Sequence, residues 1–233
     1  MNDSIFRLIK LPDLVTLVNA LLGFTAILMV VQDNSNTSNA SILIVIAVIT
    51  DGIDGAIARR LEYGVLGEQL DSLADMISFG VAPAVIAYSL LATQYHYLIC
   101  IVGGTFLACG ILRLARFNAI NYKAGFRGLP ITTSGLAVPL YILAFEGRNF
   151  EFFSYGLLGL MVLLSGLMVS RVPYPKIKDF RVMSSILFLL LLLILFFYFG
   201  AIEKTLAIAG IMFILIGLYV ISPVMNLKEI IIK

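Results

Sequence analysis

Eight apolar segments run almost from one end of the chain to the other, and they constrain its fold more than any other feature. Each is close to the roughly 20 residues with which an α-helix crosses the hydrocarbon core of a bilayer. Only 13% of the residues are charged, whereas soluble domains carry about 25%. We therefore expect an all-α polytopic membrane protein, a bundle of about eight transmembrane helices that forms one domain over residues 1–233. The segments are residues 14–31, 41–58, 67–92, 97–116, 130–146, 153–170, 182–200 and 205–225.

The basic residues lie almost entirely on one side of this predicted bundle. If the N-terminus is cytoplasmic, fourteen Lys and Arg residues fall on the cytoplasmic side, and only Arg148 and Lys204 fall on the other. Cytoplasmic loops of membrane proteins carry such an excess. The asymmetry predicts a multi-pass protein of the cell membrane with both termini in the cytoplasm.

Four aspartates, Asp51, Asp54, Asp71 and Asp75, lie within or at the ends of the second and third segments. Carboxylates at membrane depth are costly and usually belong to functional sites. On a helix that turns about 100° per residue, the first two share one face of their helix, and the last two share one face of the next. Because only a short turn separates the helices, we expect antiparallel neighbours with Asp75 level with Asp51, and Asp71 level with Asp54. All four carboxylates are predicted to converge near the cytoplasmic face.

Converging carboxylates need protons or cations to compensate their charge. Carboxylate oxygens suit Mg²⁺ or Mn²⁺, and also Ca²⁺, and two divalent ions would balance four negative charges. Two such ions a few ångströms apart can clamp a phosphoryl group during in-line displacement. Gly55 and Ala58 leave room for a ligand against the second helix, and Arg59 can pair with a phosphate oxygen. The pattern therefore indicates phosphoryl-type transfer with two divalent cations as cofactors.

These residues resemble the hallmark motif of the CDP-alcohol phosphotransferases, D-x-x-D-G-x-x-A-R followed by G-x-x-x-D-x-x-x-D. The spacer between the Arg and the second Gly has seven residues, which is shorter than is usual in the family. All eight motif positions are present, carried by Asp51, Asp54, Gly55, Ala58, Arg59, Gly67, Asp71 and Asp75.

The resemblance implies an enzyme that binds CDP-diacylglycerol or an archaeal CDP-lipid and releases CMP when an alcohol attacks the lipid-side phosphorus. It implies a homodimer in contact with membrane lipids, and no nucleic-acid partner is expected. The implied metal ligands are Asp51, Asp54, Asp71 and Asp75, of which Asp75 is also the general base. The CDP group would be lined by Gly55, Ala58, Arg59 and Gly67.

Wider stretches resemble one branch of this family, the bacterial and archaeal phosphatidylserine synthases. They are residues 70–90, 110–119 and 126–135, together with residues 12–24, in which Asp13 stands where Asn is more common. This likeness implies transfer of a phosphatidyl or archaetidyl group to the hydroxyl of L-serine, a step of phospholipid biosynthesis.

An acceptor site for serine needs a cation for the serine carboxylate, and residues 113–127 form a basic stretch on the predicted cytoplasmic side. Arg116 and Asn118 are the first candidates, because Arg favours bidentate carboxylate recognition. The same cations also fit the general cytoplasmic excess or contacts with lipid phosphates. The remaining candidates are Arg113, Lys123, Arg127, Thr132 and Thr133.

Two other functions stay open at this point. A sister enzyme would use glycerol 3-phosphate or inositol phosphate, and the same basic stretch could bind the additional phosphate. An ion-coupled transporter would use the four aspartates as an ion path. Transporters often repeat their broken helices in two halves, whereas the acidic residues here cluster once.

Overall fold

A computed structural model describes residues 9–61, 66–120, 126–145, 147, 149–175 and 179–223. Within these ranges the chain is almost entirely helical, and the one pair of strands is two residues long on each side. The α-helices are α1 (Leu11–Gln32), α2 (Thr37–Leu61), α3 (Gly67–Asp75), α4 (Ala82–Ala119), α5 (Ile131–Phe145), α6 (Phe150–Val169), α7 (Phe180–Tyr198) and α8 (Ile202–Ile221). A 3₁₀ turn (Asn34–Asn36) precedes α2, a π-helical turn (Met76–Val81) joins α3 to α4, and strand β1 (Phe126–Arg127) pairs antiparallel with β2 (Pro173–Tyr174).

Six helical stretches of the described chain are long and apolar enough to cross a membrane, and a seventh apolar helix, Ile131–Phe145, is shorter. This confirms the all-α polytopic class. The six stretches are Leu11–Gln32, Asn34–Gly55, Gly67–Ala119, Glu151–Val169, Phe180–Tyr198 and Ile202–Ile221.

The longest of these stretches, Gly67–Ala119, folds back on itself. Its backbone leaves helical geometry at Tyr95, where φ is −125° and ψ is 38°. A Cβ atom built on Gly110 would lie 3.5 Å from Met76 Cε, yet a straight helix from Met76 to Gly110 would be about 51 Å long. The stretch is therefore an antiparallel hairpin, and it turns where the sequence predicted a break between residues 92 and 97.

Helix α1 begins at Leu11 for local reasons. Pro12 fits the first turn, where its missing N–H costs no helical hydrogen bond. The carboxylate of Asp13 accepts a hydrogen bond from the Lys10 backbone N–H at 2.7 Å and so caps the helix. Asp13 is only 1% exposed, so this face of the first turn of α1 lies inside the bundle.

Helix α1 packs against the π-helical turn at very short range. Ser78 Oγ in this turn donates a hydrogen bond to the Asn19 carbonyl oxygen at 2.8 Å. A Cβ atom built on Gly23 would lie only 2.6 Å from Ser78 Cα. Because any larger residue would push the helices apart, glycine at position 23 allows this approach.

Helix α5 is the centre of the bundle. It packs against α2, α4, α6, α8 and the π-helical turn, and twelve of its fifteen residues are buried. Because protein surrounds it, its short length need not match the thickness of the bilayer. Helices α7 and α8 lie at the periphery, where about half of their apolar side chains are exposed and few are buried.

Candidate active site

Three of the four predicted aspartates come together. Carboxylate oxygens of Asp51, Asp54 and Asp71 lie within 4.8 Å of one another. The first two lie on α2 and the third on α3, so two separate helices build the cluster. Oxygen atoms this close together suit a hard divalent cation, and we call these three residues the aspartate trio.

The fourth aspartate, Asp75, lies beside the trio. It is 7% exposed and lies within hydrogen-bonding reach of the Asp51 carboxyl. Its Oδ1 atom is buried and has no hydrogen-bond partner among the described residues. A carboxylate oxygen in this position can accept a proton from a group bound at the trio.

Helix α1 contributes to the same site, which the motif did not predict. Thr16 Oγ1 donates a hydrogen bond to Asp54 Oδ2 at 2.9 Å. Asn19 lies one turn further along the helix and is fully buried. The sequence did contain a signal, since Asp13, Thr16 and Asn19 form a polar stripe with a spacing of three in an otherwise apolar helix.

The residues predicted to line the CDP group are described in part. Gly55 is half-buried and directly follows Asp54, and Gly67 is buried at the first position of α3. The side chains of Ala58 and Arg59 lie outside the described part of the chain. Their predicted contacts with CDP stay predictions.

Arg113, one of the predicted acceptor residues, lies near the aspartates. It is 7% exposed and within electrostatic range of Asp75 and Asp71. Its guanidinium carbon lies 5.4 Å from the centre of the Phe117 ring, a cation–π distance. A buried guanidinium beside carboxylates is positioned to balance their charge and to bind an anionic ligand.

Arg116, one turn further along α4, is engaged in a different way. Its guanidinium donates hydrogen bonds to the carbonyl oxygens of Met168 (3.1 Å), Val169 (3.1 Å) and Ser170 (3.0 Å), and to that of Arg127. It therefore ties the C-terminal end of α6 to strand β1. These bonds satisfy carbonyls that the end of a helix leaves without partners. Its predicted contact with a serine carboxylate stays a prediction.

A glycine makes this arrangement possible. Gly128 has a φ of 80°, which side-chain-bearing residues rarely adopt. A Cβ atom there would collide with the Met168 carbonyl and with the Arg116 guanidinium. The tie between α4, α6 and β1 thus depends on this position.

The remaining acceptor candidates are spread around the same end of the bundle. Asn118 Nδ2 donates a hydrogen bond to Ser72 Oγ at 2.9 Å, which places it beside the residue that follows Asp71. Arg127 is exposed, Thr132 and Thr133 are half-buried at the start of α5, and Lys123 lies outside the described residues. The structure therefore brings Arg113 and Asn118 to the helices of the aspartates.

The fold and the site together define a class of protein. It is a polytopic membrane protein that holds an acidic trio, a neighbouring buried carboxylate and a buried arginine at the ends of its helices. Clustered carboxylate oxygens bind divalent cations, and cations with an arginine bind phosphate esters. This combination suits an enzyme that acts on a phosphorylated membrane substrate.

Comparisons with known proteins give the family. The family model for CDP-alcohol phosphatidyltransferase matches residues 9–172. The chain is 38% identical over 183 residues to archaetidylserine synthase of Methanothermobacter thermautotrophicus, and the matched region covers 76% of this chain and 75% of that protein. It is 35% identical over 175 residues to a CDP-diacylglycerol–serine O-phosphatidyltransferase of Methanocaldococcus jannaschii, covering 74% and 77%. A Bacillus subtilis protein of the same name is 34% identical over 170 residues, covering 72% and 91%.

The chain belongs to the CDP-alcohol phosphatidyltransferase family, which confirms the resemblance seen in the motif. This family is in general dependent on divalent metal ions, and the aspartate trio is a cluster that fits such an ion. The relatives named for serine are similar to this chain over about three quarters of its length.

Proposed function

We propose that this protein transfers a phosphatidyl or archaetidyl group from a CDP-lipid to the hydroxyl of L-serine and releases CMP, in phospholipid biosynthesis. The observation that carries the proposal is the aspartate trio, with Asp75 and Arg113 buried beside it. Three relatives that match about three quarters of this chain are named for serine, which supports serine as the acceptor.

In this proposal the aspartates hold two divalent cations, Mg²⁺ or Mn²⁺, with Ca²⁺ as a further possibility. Asp51, Asp54 and Asp71 would be the ligands, and Asp75 would supply a further carboxylate. When bound, such cations would neutralise the charge of the diphosphate and make the lipid-side phosphorus more electrophilic. Thr16 orients the Asp54 carboxylate through its 2.9 Å hydrogen bond.

Asp75 is the general base of the proposed reaction. Its unpartnered Oδ1 would take the proton of the serine hydroxyl as the hydroxyl oxygen attacks phosphorus. Gly55, Ala58, Arg59 and Gly67 would line the CDP group, as the motif implies. Glycine at positions 55 and 67 lets the nucleotide approach the helix backbones closely.

Arg113 is the side chain that we assign to the serine carboxylate. Its burial strengthens a charge-assisted hydrogen bond, and its position near Asp75 and Asp71 would hold serine with its hydroxyl toward the base. Arg116, Asn118, Lys123, Arg127, Thr132 and Thr133 stay candidates for the rim of this site. Arg116 has the weaker support of the two arginines, because four backbone carbonyls already occupy its guanidinium.

The proposed topology has eight membrane crossings with both termini in the cytoplasm. The hairpin Gly67–Ala119 supplies two crossings, since each arm is long enough to span, and α5 supplies one inside the bundle. The excess of Lys and Arg on the aspartate side supports an active site near the cytoplasmic face of the cell membrane. We further propose one integral-membrane domain over residues 1–233 that forms a homodimer.

The test is release of CMP by the purified protein in detergent. CDP-diacylglycerol and CDP-archaeol would each be supplied with L-serine and Mg²⁺ or Mn²⁺. We expect CMP release that requires both serine and the divalent ion and that stops on addition of a chelator. Matched reactions would replace serine with glycerol 3-phosphate or inositol phosphate. Turnover with one of these acceptors and none with serine would contradict the proposal.

A further inference from the structure

Four buried side-chain atoms have no hydrogen-bond partner among the described residues, and three of the four belong to Asn19 and Asp75. They are Nδ2 and Oδ1 of Asn19 and Oδ1 of Asp75, and the fourth is Ser41 Oγ. Asn19 is fully buried. A buried amide without partners is unfavourable, so folded proteins rarely keep one without a reason. Both polar atoms of Asn19 are therefore available to a ligand.

Asn19 and Asp75 lie at the same level of the bundle. The Asn19 carbonyl accepts a hydrogen bond from Ser78 Oγ at 2.8 Å, and Ser78 is one turn beyond Asp75. Helical carbonyls point toward the C-terminus, whereas side chains lean toward the N-terminus. Helices α1 and α3 both begin at the aspartate end of the bundle, so the Asn19 amide leans back from Ser78 toward the level of Asp75.

A second contact places the same amide beside the aspartate trio. Thr16, one turn before Asn19 on the buried face of α1, donates to Asp54 Oδ2 at 2.9 Å. On α2, Asp51 lies one turn from Asp54 on the side toward the bundle interior, and Asp75 is within hydrogen-bonding reach of Asp51. Asn19 therefore belongs to the level formed by Asp51 and Asp75.

The unpartnered atoms of Asn19 and Asp75 indicate the chemistry of a ligand that could bind to both residues. A cation could satisfy Oδ1 of Asn19 and of Asp75, but it would leave the amide N–H of Asn19 without an acceptor. A phosphate oxygen could accept from that N–H but would be repelled by the Asp75 carboxylate. A hydroxyl serves the Asn19 N–H and the Asp75 oxygen at once, because it accepts a hydrogen bond from an amide and donates one to a carboxylate, and Asn19 Oδ1 is then left for a second donor such as the ammonium group of an amino-acid acceptor.

We propose that Asn19 positions the attacking hydroxyl of the acceptor, holding its oxygen through Nδ2 while Asp75 Oδ1 faces its proton. The proposal rests on the phosphotransferase function proposed above. The hydroxyl oxygen forms a bond to the lipid-side phosphorus, and its proton passes to Asp75. The bond from that phosphorus to the bridging oxygen breaks, and its electron pair leaves with CMP. Asn19 fixes the direction of the attacking lone pair, and orientation of this kind accelerates a displacement.

The test is an Asn19→Leu variant, in which the side chain keeps the same number and branching of heavy atoms but has no polar atoms. If the Asn19 amide had only a structural role, this variant should be as active as the wild type and more stable, because an unsatisfied buried group has been removed. We expect instead that its apparent melting temperature stays the same or rises, while kcat for transfer to serine falls about tenfold or more. The KM for the CDP-lipid should stay within about twofold of the wild-type value, since Asn19 contacts only the acceptor.

A matched control is available in the same structure. Ser41 Oγ is equally buried and has no hydrogen-bond partner in the part of the chain that the structure describes, but it lies ten residues before Asp51 on α2, about 15 Å along the helix. Ser41→Ala should leave kcat unchanged. If Asn19→Leu does not fold, Asn19→Ala is measured in the same way.

Two results would overturn the proposal. One is wild-type kcat in a folded Asn19 variant, which would make the amide structural. The other is a raised KM for the CDP-lipid with kcat intact, which would place Asn19 against the lipid substrate. Failure of the wild-type protein to use serine at all would instead count against the proposed function, because the Asn19 comparison is made relative to wild-type turnover.

Discussion

The helices that carry the aspartates and the last two helices of the chain use their surfaces differently. In the spans Asn34–Gly55 and Gly67–Ala119, 39% of the residues in the most apolar 18-residue part of each span are buried inside the protein. In α7 and α8 the corresponding shares are 11% and 17%. The family model also ends at residue 172, before α7 begins. The first group of helices encloses the site, and the second buries little of its surface inside the protein.

The difference shows where polar groups can be kept in a membrane. A carboxylate is tolerated when neighbouring helices shield it and supply partners, as Thr16 does for Asp54. From Ile186 to Phe197, helix α7 contains only apolar residues and has no side chain that could act as such a partner. Exposed leucines and phenylalanines on such a helix suit the apolar tails of a bilayer, in which apolar contacts drive little association between helices.

The two regions nevertheless meet at the aspartate end of the bundle. Tyr219 of α8 donates a hydrogen bond to the Pro175 carbonyl at 3.1 Å, and Tyr174 donates to the Val220 carbonyl at 3.3 Å. The two rings are 5.5 Å apart. Tyr219 is also within electrostatic range of Arg113, so α8 lies next to the proposed acceptor site.

The largest effect is expected from Asp75→Asn, in the enclosed region. General-base catalysis contributes about 100- to 10,000-fold, so turnover should fall by at least about 100-fold while CDP-lipid binding largely survives. CMP release and binding of labelled CDP-lipid would be measured on the same preparation. Glu203→Gln, an exposed carboxylate at the start of α8, is the matched control and should keep full activity. Comparable activity in the Asp75 variant would remove its role as base.

An intermediate effect, on stability, is expected from Arg116→Lys. An ammonium group cannot reproduce four hydrogen bonds from one planar guanidinium, and we expect a loss of about 1–3 kcal/mol. The apparent unfolding midpoint in detergent would be compared with that of Arg181→Lys, an exposed arginine at the start of α7. If the Arg116 variant keeps its stability and instead shows a raised KM for serine alone, then Arg116 binds the acceptor carboxylate.

The smallest effect is expected from Tyr219→Phe, where the two regions meet. It removes one neutral hydrogen bond, to the Pro175 carbonyl, which is worth about 1 kcal/mol. We expect a slightly lower unfolding midpoint and a change of about twofold in the KM for serine. Tyr198→Phe on α7, where the ring is 69% exposed, should change neither quantity. A loss of activity as large as that of Asp75→Asn would mean that α8 belongs to the catalytic site itself.

Much of the fold could be predicted because it depends on local properties. Hydropathy located the helices to within a few residues, and the break near Tyr95 falls between two segments that were predicted to end at residue 92 and to begin at residue 97. The 53-residue stretch Gly67–Ala119 remains helical on both sides of that residue, so the predicted loop is a sharp turn. The aspartate spacing correctly placed Asp51, Asp54 and Asp71 together, because residues three or four apart share a helix face.

The two arginines of α4 mark the limit of this reasoning. Arg113 and Arg116 share a helix face and were both candidates for the acceptor carboxylate. Arg116 instead meets carbonyls more than fifty residues away in sequence, which no local spacing reveals. Thr16 was overlooked for the same reason, since its partner Asp54 is on another helix.

The sequence by itself determined that this chain is a helical membrane protein with a CDP-alcohol phosphatidyltransferase motif, because hydropathy and helical periodicity are properties of neighbouring residues. Only the tertiary structure decided which polar groups are satisfied by the protein and which are left for a ligand. The guanidinium of Arg116 donates to four backbone carbonyls, whereas the amide of Asn19 and one oxygen of Asp75 are buried without a hydrogen-bond partner among the described residues. Burial and hydrogen bonding depend on how distant helices pack, and that information appears only when the bundle is assembled.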